Sequence, residues 1–277
     1  MSINAQSKAA MLKNVCRQDD VKLLGAPMED TLSFRPGTRF APQKIRAILP
    51  YLEYTTLFGN VTEPLCDLGD VELLQGAPAE NVARIERFIQ RVDPPFIMVG
   101  GEHTATLAAL NAVKPDTYVH IDAHFDLRDE WPPGQRLSHA TFARRAHEKL
   151  GFYAIYIGAR AYDDEEHKYA EDADFFVVEG SDFGRDVISD AVSTASGRVY
   201  LSLDIDVLDP SEAPGVGTPE AGGLPFRKLE YLLADLMLTL KPVAVDIMEY
   251  SPPNDVSDVT ATKVVRTIMH MAAYLKR

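Results

Sequence analysis

Short apolar runs, rich in β-branched and aromatic residues, alternate along this chain with longer stretches whose apolar residues recur every three or four positions. The short runs predict strands at 22–24, 96–99, 117–121, 153–157, 175–178, 199–203 and 243–247. The helical period predicts helices over 42–49, 79–91, 104–113, 141–150, 185–194, 225–240 and 257–276. Such alternation predicts an α/β fold with a mostly parallel sheet and helices on both faces. No internal repeat, low-complexity tract or linker-like break interrupts it, so one domain over residues 1–277 is expected.

The polar residues fall where an open sheet of this kind binds ligands, just past the carboxyl ends of its strands. TYVHIDAHFD breaks from an apolar run into Asp122, His124 and Asp126, and VYLSLDIDVLDP ends in Asp204 and Asp206. Residues two apart on an extended backbone point the same way, so each run is expected to aim its carboxylates at one place. Gly100, Gly101, Glu102, His103 and Thr104 follow a third strand, and Glu249 a fourth. A single Asp at a strand end is ordinarily a cap or turn former. Four strand ends carrying ligand-type residues make that reading hard to sustain. Asp209-Pro210 reads as the turn that follows, and GVGTPEAGG, lacking the Lys-Ser/Thr ending of a phosphate loop, as a rigid loop near the site.

Charge accounting gives the metal content. Asp122, Asp126, Asp204 and Asp206 sum to about −4, neutral His103 and His124 add nothing, and two divalent cations balance the set. Oxygen ligands with some imidazole and no thiolate suit Mn²⁺, with zinc, cobalt or nickel open. Two such ions hold a hydroxide that is nucleophilic at neutral pH, so the expected reaction is a hydrolysis. His139, near a helix start, reads either as a structural histidine or as a proton shuttle with a pKa near working pH. Glu249 reads either as a turn residue before two prolines or as a carboxylate that receives a planar cation through paired hydrogen bonds.

Composition changes the picture only at its edges. Of 277 residues 46% are hydrophobic, no apolar run spans a bilayer, and the first twenty residues lack a secretory signal's apolar centre. A formal net charge of −13 argues against nucleic acid and anionic membranes as partners and mildly favours a cationic substrate. Cys16 and Cys66 form no spacing motif, which predicts a reduced, cytoplasmic setting.

GGEHT, HIDAHFD, SLDIDVLDP with PGVGTPEAGGL, and DIMEYSP resemble, in order and spacing, the signatures of the ureohydrolase (arginase–agmatinase) family, as does GAPMEDTLSFRPGTRFAPQKIR near the start. The resemblance implies a three-layer α/β/α sandwich, a binuclear manganese centre, a trimer or hexamer, and cleavage of a guanidino group to urea and an amine. It would place one ion on His103, Asp122, Asp126 and Asp204, and the other on His124, Asp122, Asp204 and Asp206. Asp126 would also orient the hydroxide, His139 would pass a proton to the leaving amine, and Glu249 would hold the guanidinium. Arginases carry a TSGN-like run for the amino-acid end of arginine, and PPGQRLSH stands there instead. The agmatinase branch, making putrescine for polyamine synthesis, is therefore the leading expectation, ahead of guanidinobutyrate, arginine and formiminoglutamate. Arg128 is a candidate to receive a substrate carboxylate, which would suit a guanidino acid, and Trp131 a candidate to line the entrance. A single-metal zinc deacetylase of similar fold would have no pressing need for both Asp206 and Glu249, and a metal-stabilised assembly protein without turnover would not require both His139 and Glu249.

Overall fold

The computed structural model describes residues 12–275 except 54, 57, 58, 61–63 and 182. In chain order these form β1 (Leu12–Lys13), β2 (Lys22–Ala26), α1 (Ala41–Ile48), β3 (Thr55–Thr56), β4 (Gly59–Asn60), β5 (Leu65–Asp70), α2 (Pro78–Ile89), β6 (Phe96–Gly100), α3 (Ala105–Val113), β7 (Thr117–Ile121), α4 (Phe142–Leu150), β8 (Tyr153–Ile157), α5 (Asp164–Asp172), β9 (Phe176–Val178), α6 (Arg185–Thr194), β10 (Val199–Asp204), α7 (Phe226–Leu240), β11 (Ala244–Met248) and α8 (Val259–Leu275).

Nine strands make one sheet in the order β1-β5-β2-β6-β11-β10-β7-β8-β9, and every pairing in it is parallel. Every residue of the central strands β6, β7, β10 and β11 is buried, which explains their near-continuous apolar sequence. Alternate side chains serve two cores. Ile97, Val99, Val119, Leu201 and Val245 pack with α1, α6, α7 and α8, while Phe96, Met98, Tyr118, Tyr200 and Met248 pack with α2, α3, α4 and α5. The three-layer α/β/α expectation is met.

The topology builds the crevice. After β6 the chain skips two positions to reach β7, and β10 and β11 later fill the gap, so the carboxyl ends of β6, β11, β10 and β7 lie side by side. Packing at one of these ends demands glycine. A Cβ on Gly101 would lie 1.9 Å from the Met28 carbonyl oxygen, whose backbone accepts from the Glu102 amide at 2.8 Å. Gly101→Ala is therefore expected to cost about 2–3 kcal/mol through overpacking against backbone, read as a lowered melting temperature; an unshifted transition would mean that the loop yields.

Several elements differ from the sequence expectations. β2 runs on to Ala26, β9 starts at Phe176 rather than 175, and α8 covers Val259–Leu275, residue 276 lying outside the described residues. Strands β1 and β5, the β3–β4 hairpin and helix α5 were not expected. The reduced state expected for the cysteines is corrected: Cys16 and Cys66 form a disulfide with Cα atoms 5.3 Å apart. Their separation of 50 residues hides a neighbourhood that β1–β5 pairing creates, Lys13 lying opposite Cys66. No helix among the described residues is long and apolar enough to cross a membrane.

Candidate metal centre

The four strand ends bring the six predicted ligand residues together. His103 Nδ1 lies 3.0 Å from Asp122 Oδ2 and 3.3 Å from both Asp126 Oδ2 and Asp204 Oδ2. His124 Nδ1 lies 3.3 Å from Asp122 Oδ1 and 3.2 Å from Asp206 Oδ2. Ligands held about 2.1 Å from a shared ion sit roughly 3.0–3.4 Å from one another along octahedral or tetrahedral edges, so both groups have the spacing of a coordination shell. Asp122 belongs to both.

The convergence has a different local cause from the one expected. Strand β7 ends at Ile121 and β10 at Asp204, so Asp122, Asp126 and Asp206 stand in turns beyond the pleat and Asp204 is the last residue within it. Asp122 Oδ1 accepts from the His124 amide at 2.6 Å, and Asp204 Oδ1 from the Asp206 amide at 2.8 Å. Short-range side-chain-to-backbone bonds of this kind aim the oxygens. Two residues here carry positive φ without being glycine, Asp126 at 55° and Glu249 at 62°, the strain often met at functional sites.

The polar surroundings fix which imidazole nitrogen faces the cluster. Ser202 Oγ donates to Asp246 Oδ1 at 2.5 Å, and Asp246 Oδ2 accepts from Tyr200 and Thr106 at 2.7 and 2.8 Å. With its proton committed, Ser202 Oγ accepts from His103 Nε2 at 2.8 Å. The lone pair of a neutral His103 therefore sits on Nδ1, aimed at three carboxylates, with no hydrogen-bond partner for that atom or for Asp122 Oδ2. Phe142 stacks on the same ring at 4.6 Å and holds it in place. This relay orients His103 as metal-binding histidines are ordinarily oriented, and such crowding of lone pairs suits a cation.

The titration behaviour agrees. Burial pushes Asp126 and Asp204 well above the usual carboxylate range, helped by Asp122 and, for Asp204, by Asp206. Burial would lower His103, but Asp122, Asp126 and Asp246 outweigh it and raise the imidazole to about 9. Burial also lifts Glu249 to about 8 and Glu102 to about 7. Each raised group binds its proton more tightly folded than unfolded, so its contribution to stability is complete below the unfolded pKa and vanishes as pH climbs through the folded one. Those windows run from 4.5 to about 8 for Glu249, from 4.5 to about 7 for Glu102 and from 6.5 to about 9 for His103. The metal-stripped protein is thus expected to lose on the order of a few kcal/mol between pH 6.5 and 9. Chemical denaturation across that range measures it, and added divalent ion should abolish the slope; a flat profile without metal would contradict this electrostatic account.

The remaining expectations divide. Glu249 Oε1 accepts from the His103 amide at 2.7 Å, whereas its buried Oε2 has no hydrogen-bond partner; the residue lines a cavity of about 360 Å³. His139 lines the same cavity, its Nε2 3.0 Å from Ser33 Oγ. The pKa near working pH expected for it is corrected, because burial, with the like charges of His124 and His103, lowers it to about 4. Arg128 also reaches the cavity, but Nη1 meets Asp163 Oδ2 at 2.5 Å, Nε lies 3.5 Å from Glu166 Oε2, and the guanidinium stacks on Trp131 at 4.6 Å. Its charge is already answered. Asp209 is the expected turn, accepting from Ser211, Gly222 and Gly223 amides.

Sequence reasoning passed over three contributors. His120 lies in the strand run that flanks the ligands, yet its Nε2 is 3.1 Å from Asp122 Oδ2 and its Nδ1 2.7 Å from the Tyr118 hydroxyl. Its alternation with Asp122 and His124 was the available signal. Buried Glu102 accepts from the Thr31 amide and hydroxyl, both at 2.7 Å, and so anchors the segment that carries Ser33. Arg160 ties the 218–221 loop to the turn that carries Asp206, donating to the carbonyls of Asp206, Glu220 and Ala221.

A sequence model described as the Arginase family matches residues 19–273. The chain belongs to the arginase family. It is 36% identical over 253 residues to the N(1)-aminopropylagmatine ureohydrolase of Thermococcus kodakarensis, covering 88% of this chain and 87% of that protein. It is 35% identical over 263 residues to the agmatinase of Halalkalibacterium halodurans, covering 89% and 90%. The solved proclavaminate amidino hydrolase of Streptomyces clavuligerus superposes with a TM-score of 0.85 at 29% identity, over 97% of this chain and 96% of that one. This arginase-family chain is a hydrolytic enzyme of the ureohydrolase type, with a buried His/Asp cluster suited to a binuclear metal site.

Proposed function

We propose that the protein is a binuclear manganese hydrolase that cleaves agmatine to urea and putrescine. The observation that carries the reading is Glu249: a buried carboxylate beside the ligand cluster, one oxygen pinned by the His103 amide and the other left without a partner at the cavity. A planar guanidinium supplies the missing donors in pairs. In this reading His103, Asp122, Asp126 and Asp204 would hold one ion, and His124 and Asp206, with Asp122 and Asp204 again, would hold the other. When bound, the ion pair supplies a water activated for attack at neutral pH and favourable electrostatics for the charge that develops.

The chain's own groups do the rest. Glu249 orients the guanidinium carbon toward the cluster, and Asp126, held at positive φ, accepts a hydrogen bond from the attacking water. Neutral His139, hydrogen-bonded to Ser33, relays a proton toward the departing amine. The absence of a free cation in this reading of the cavity, Arg128 being paired, favours a substrate without a carboxylate. The Thermococcus relative, named for N(1)-aminopropylagmatine, supports a second substrate of the same chemistry with a longer cationic tail. The reading includes a homo-oligomer, a trimer or hexamer, which light scattering in solution checks.

Urea release from agmatine, N(1)-aminopropylagmatine, arginine and guanidinobutyrate by manganese-reconstituted protein tests the assignment. Agmatine or its aminopropyl derivative should give the highest kcat/KM. Preference for arginine or guanidinobutyrate would overturn the substrate, and no urea from any of them would overturn the activity.

A further inference from the structure

Above the metal cluster, the wall of the cavity carries one acidic side chain that the reaction does not use. Glu220 lines the cavity, its side chain 41% exposed, with Oε1 3.7 Å from His124 Nε2. The opposite nitrogen of that ring, Nδ1, belongs to the cluster, so the Glu220 carboxylate stands one imidazole ring further out than the ligands. Its backbone does not drift. Arg160 Nη2 donates to the carbonyls of Asp206 and Glu220, both at 2.8 Å, and Arg160 Nε to that of Ala221 at 3.1 Å. One guanidinium thus bolts the loop bearing Glu220 to the turn that carries a metal-ligand candidate.

We infer that Glu220 is the residue that selects substrates by the charge at their far end: its carboxylate receives the distal ammonium of an amine-tailed guanidine whose guanidinium is held by Glu249. This rests on the ureohydrolase reading above. Three observations carry it. The carboxylate faces the cavity with part of its surface open. The basic residue on the same cavity, Arg128, is neutralised by Asp163 and Glu166 and covered by Trp131, so it does not compete for Glu220 or attract a carboxylate tail. Glu249 and Glu220 also line one cavity, so both carboxylates face the same substrate space. A carboxylate anchored by its backbone receives the ammonium with little ordering cost.

The rival role is orientation of His124 by the same carboxylate, and the test separates the two. Manganese-loaded protein is assayed with agmatine, with n-butylguanidine, which keeps the four-carbon chain but lacks the terminal ammonium, and with 4-guanidinobutyrate. Wild type should prefer them in that order. Glu220→Gln should reduce the preference for agmatine over n-butylguanidine about fivefold to tenfold, as expected for a partly exposed charged hydrogen bond, with the loss in KM for agmatine. Glu220→Lys should bring guanidinobutyrate ahead of agmatine. Independently of turnover, calorimetry should show 1,4-diaminobutane binding Glu220→Gln more weakly by a similar factor, at wild-type manganese stoichiometry. An unchanged agmatine-to-butylguanidine ratio would overturn the inference. Equal losses on both substrates together with lost manganese would also overturn it and make Glu220 a positioning residue for His124. A wild-type preference for guanidinobutyrate would defeat the inference while leaving a ureohydrolase in place, whereas no urea from any of the three would defeat that underlying reading itself.

Discussion

Asp204→Asn is expected to lose bound divalent metal and urea release together, by more than about 100-fold in each, beyond the range that removal of an outer partner reaches. Asp204 closes β10 and presents Oδ2 at 3.3 Å from His103 Nδ1 while Oδ1 accepts from the Asp206 amide. Asparagine keeps the volume and the Oδ1 acceptor, so the turn survives. It replaces the anionic oxygen by an amide NH₂, which cannot serve as a metal ligand, and it removes one of the mutually repelling carboxylate charges. The consequence is an inversion that a mere folding defect does not produce. At pH 8 without metal the variant should melt above wild type, because burial and the charges of Asp206 and Asp122 penalise ionised Asp204. With manganese present it should melt below wild type, having little binding free energy to add. Metal analysis, urea assay and melting curves with and without manganese read all three effects. A fully metallated, active Asp204→Asn protein would remove Asp204 from the centre.

The chemistry of this chain was easier to read from its sequence than its edges were. Strands β6, β7, β10 and β11 are buried on both faces and announce themselves as apolar runs, and the carboxylates that end them have no reason to be there apart from a site. Helix α5 escaped because only Glu166 and Ala170 are buried, leaving no apolar stripe. Its capping box, Asp163 with Glu166, was the signal available, both halves of the reciprocal bond being formed. Strand β5, LCDLGD, is half-buried with a glycine inside it and reads as a turn. Contacts between distant segments left no local trace. Ser33 meets His139 across 106 residues and Glu102 meets Thr31 across 71, so the support of the proton relay and of the entrance loop came only with the fold. The inward-facing Arg128 illustrates the opposite error: its reach into the cavity was anticipated, but Asp163 and Glu166, which take up its charge, lie on the helix that was missed.

Glu249→Gln should separate substrate handling from metal binding. The variant is expected to keep its manganese, since Glu249 Oε1 is engaged by the His103 amide and glutamine retains that acceptor. It should lose about 10²–10⁴-fold in kcat/KM for agmatine, the scale of breaking a buried ion pair at about 3–5 kcal/mol. The loss arises because a neutral amide offers the guanidinium one acceptor where the carboxylate offers two, and one of its NH groups then opposes the substrate's own donors. Backbone strain is not a confounder, because glutamine inherits the same φ of 62° at no added cost. A second readout comes without substrate. Burial lifts Glu249 to about 8, so removing its charge should raise the stability of the metal-stripped protein above neutral pH and flatten the decline between pH 6.5 and 9. The two effects have one cause: a carboxylate kept out of water and short of partners destabilises the empty fold and is answered by a guanidinium. Full activity in Glu249→Gln, or an unaltered pH profile of stability in the stripped protein, would show that the orphaned oxygen does not face the substrate.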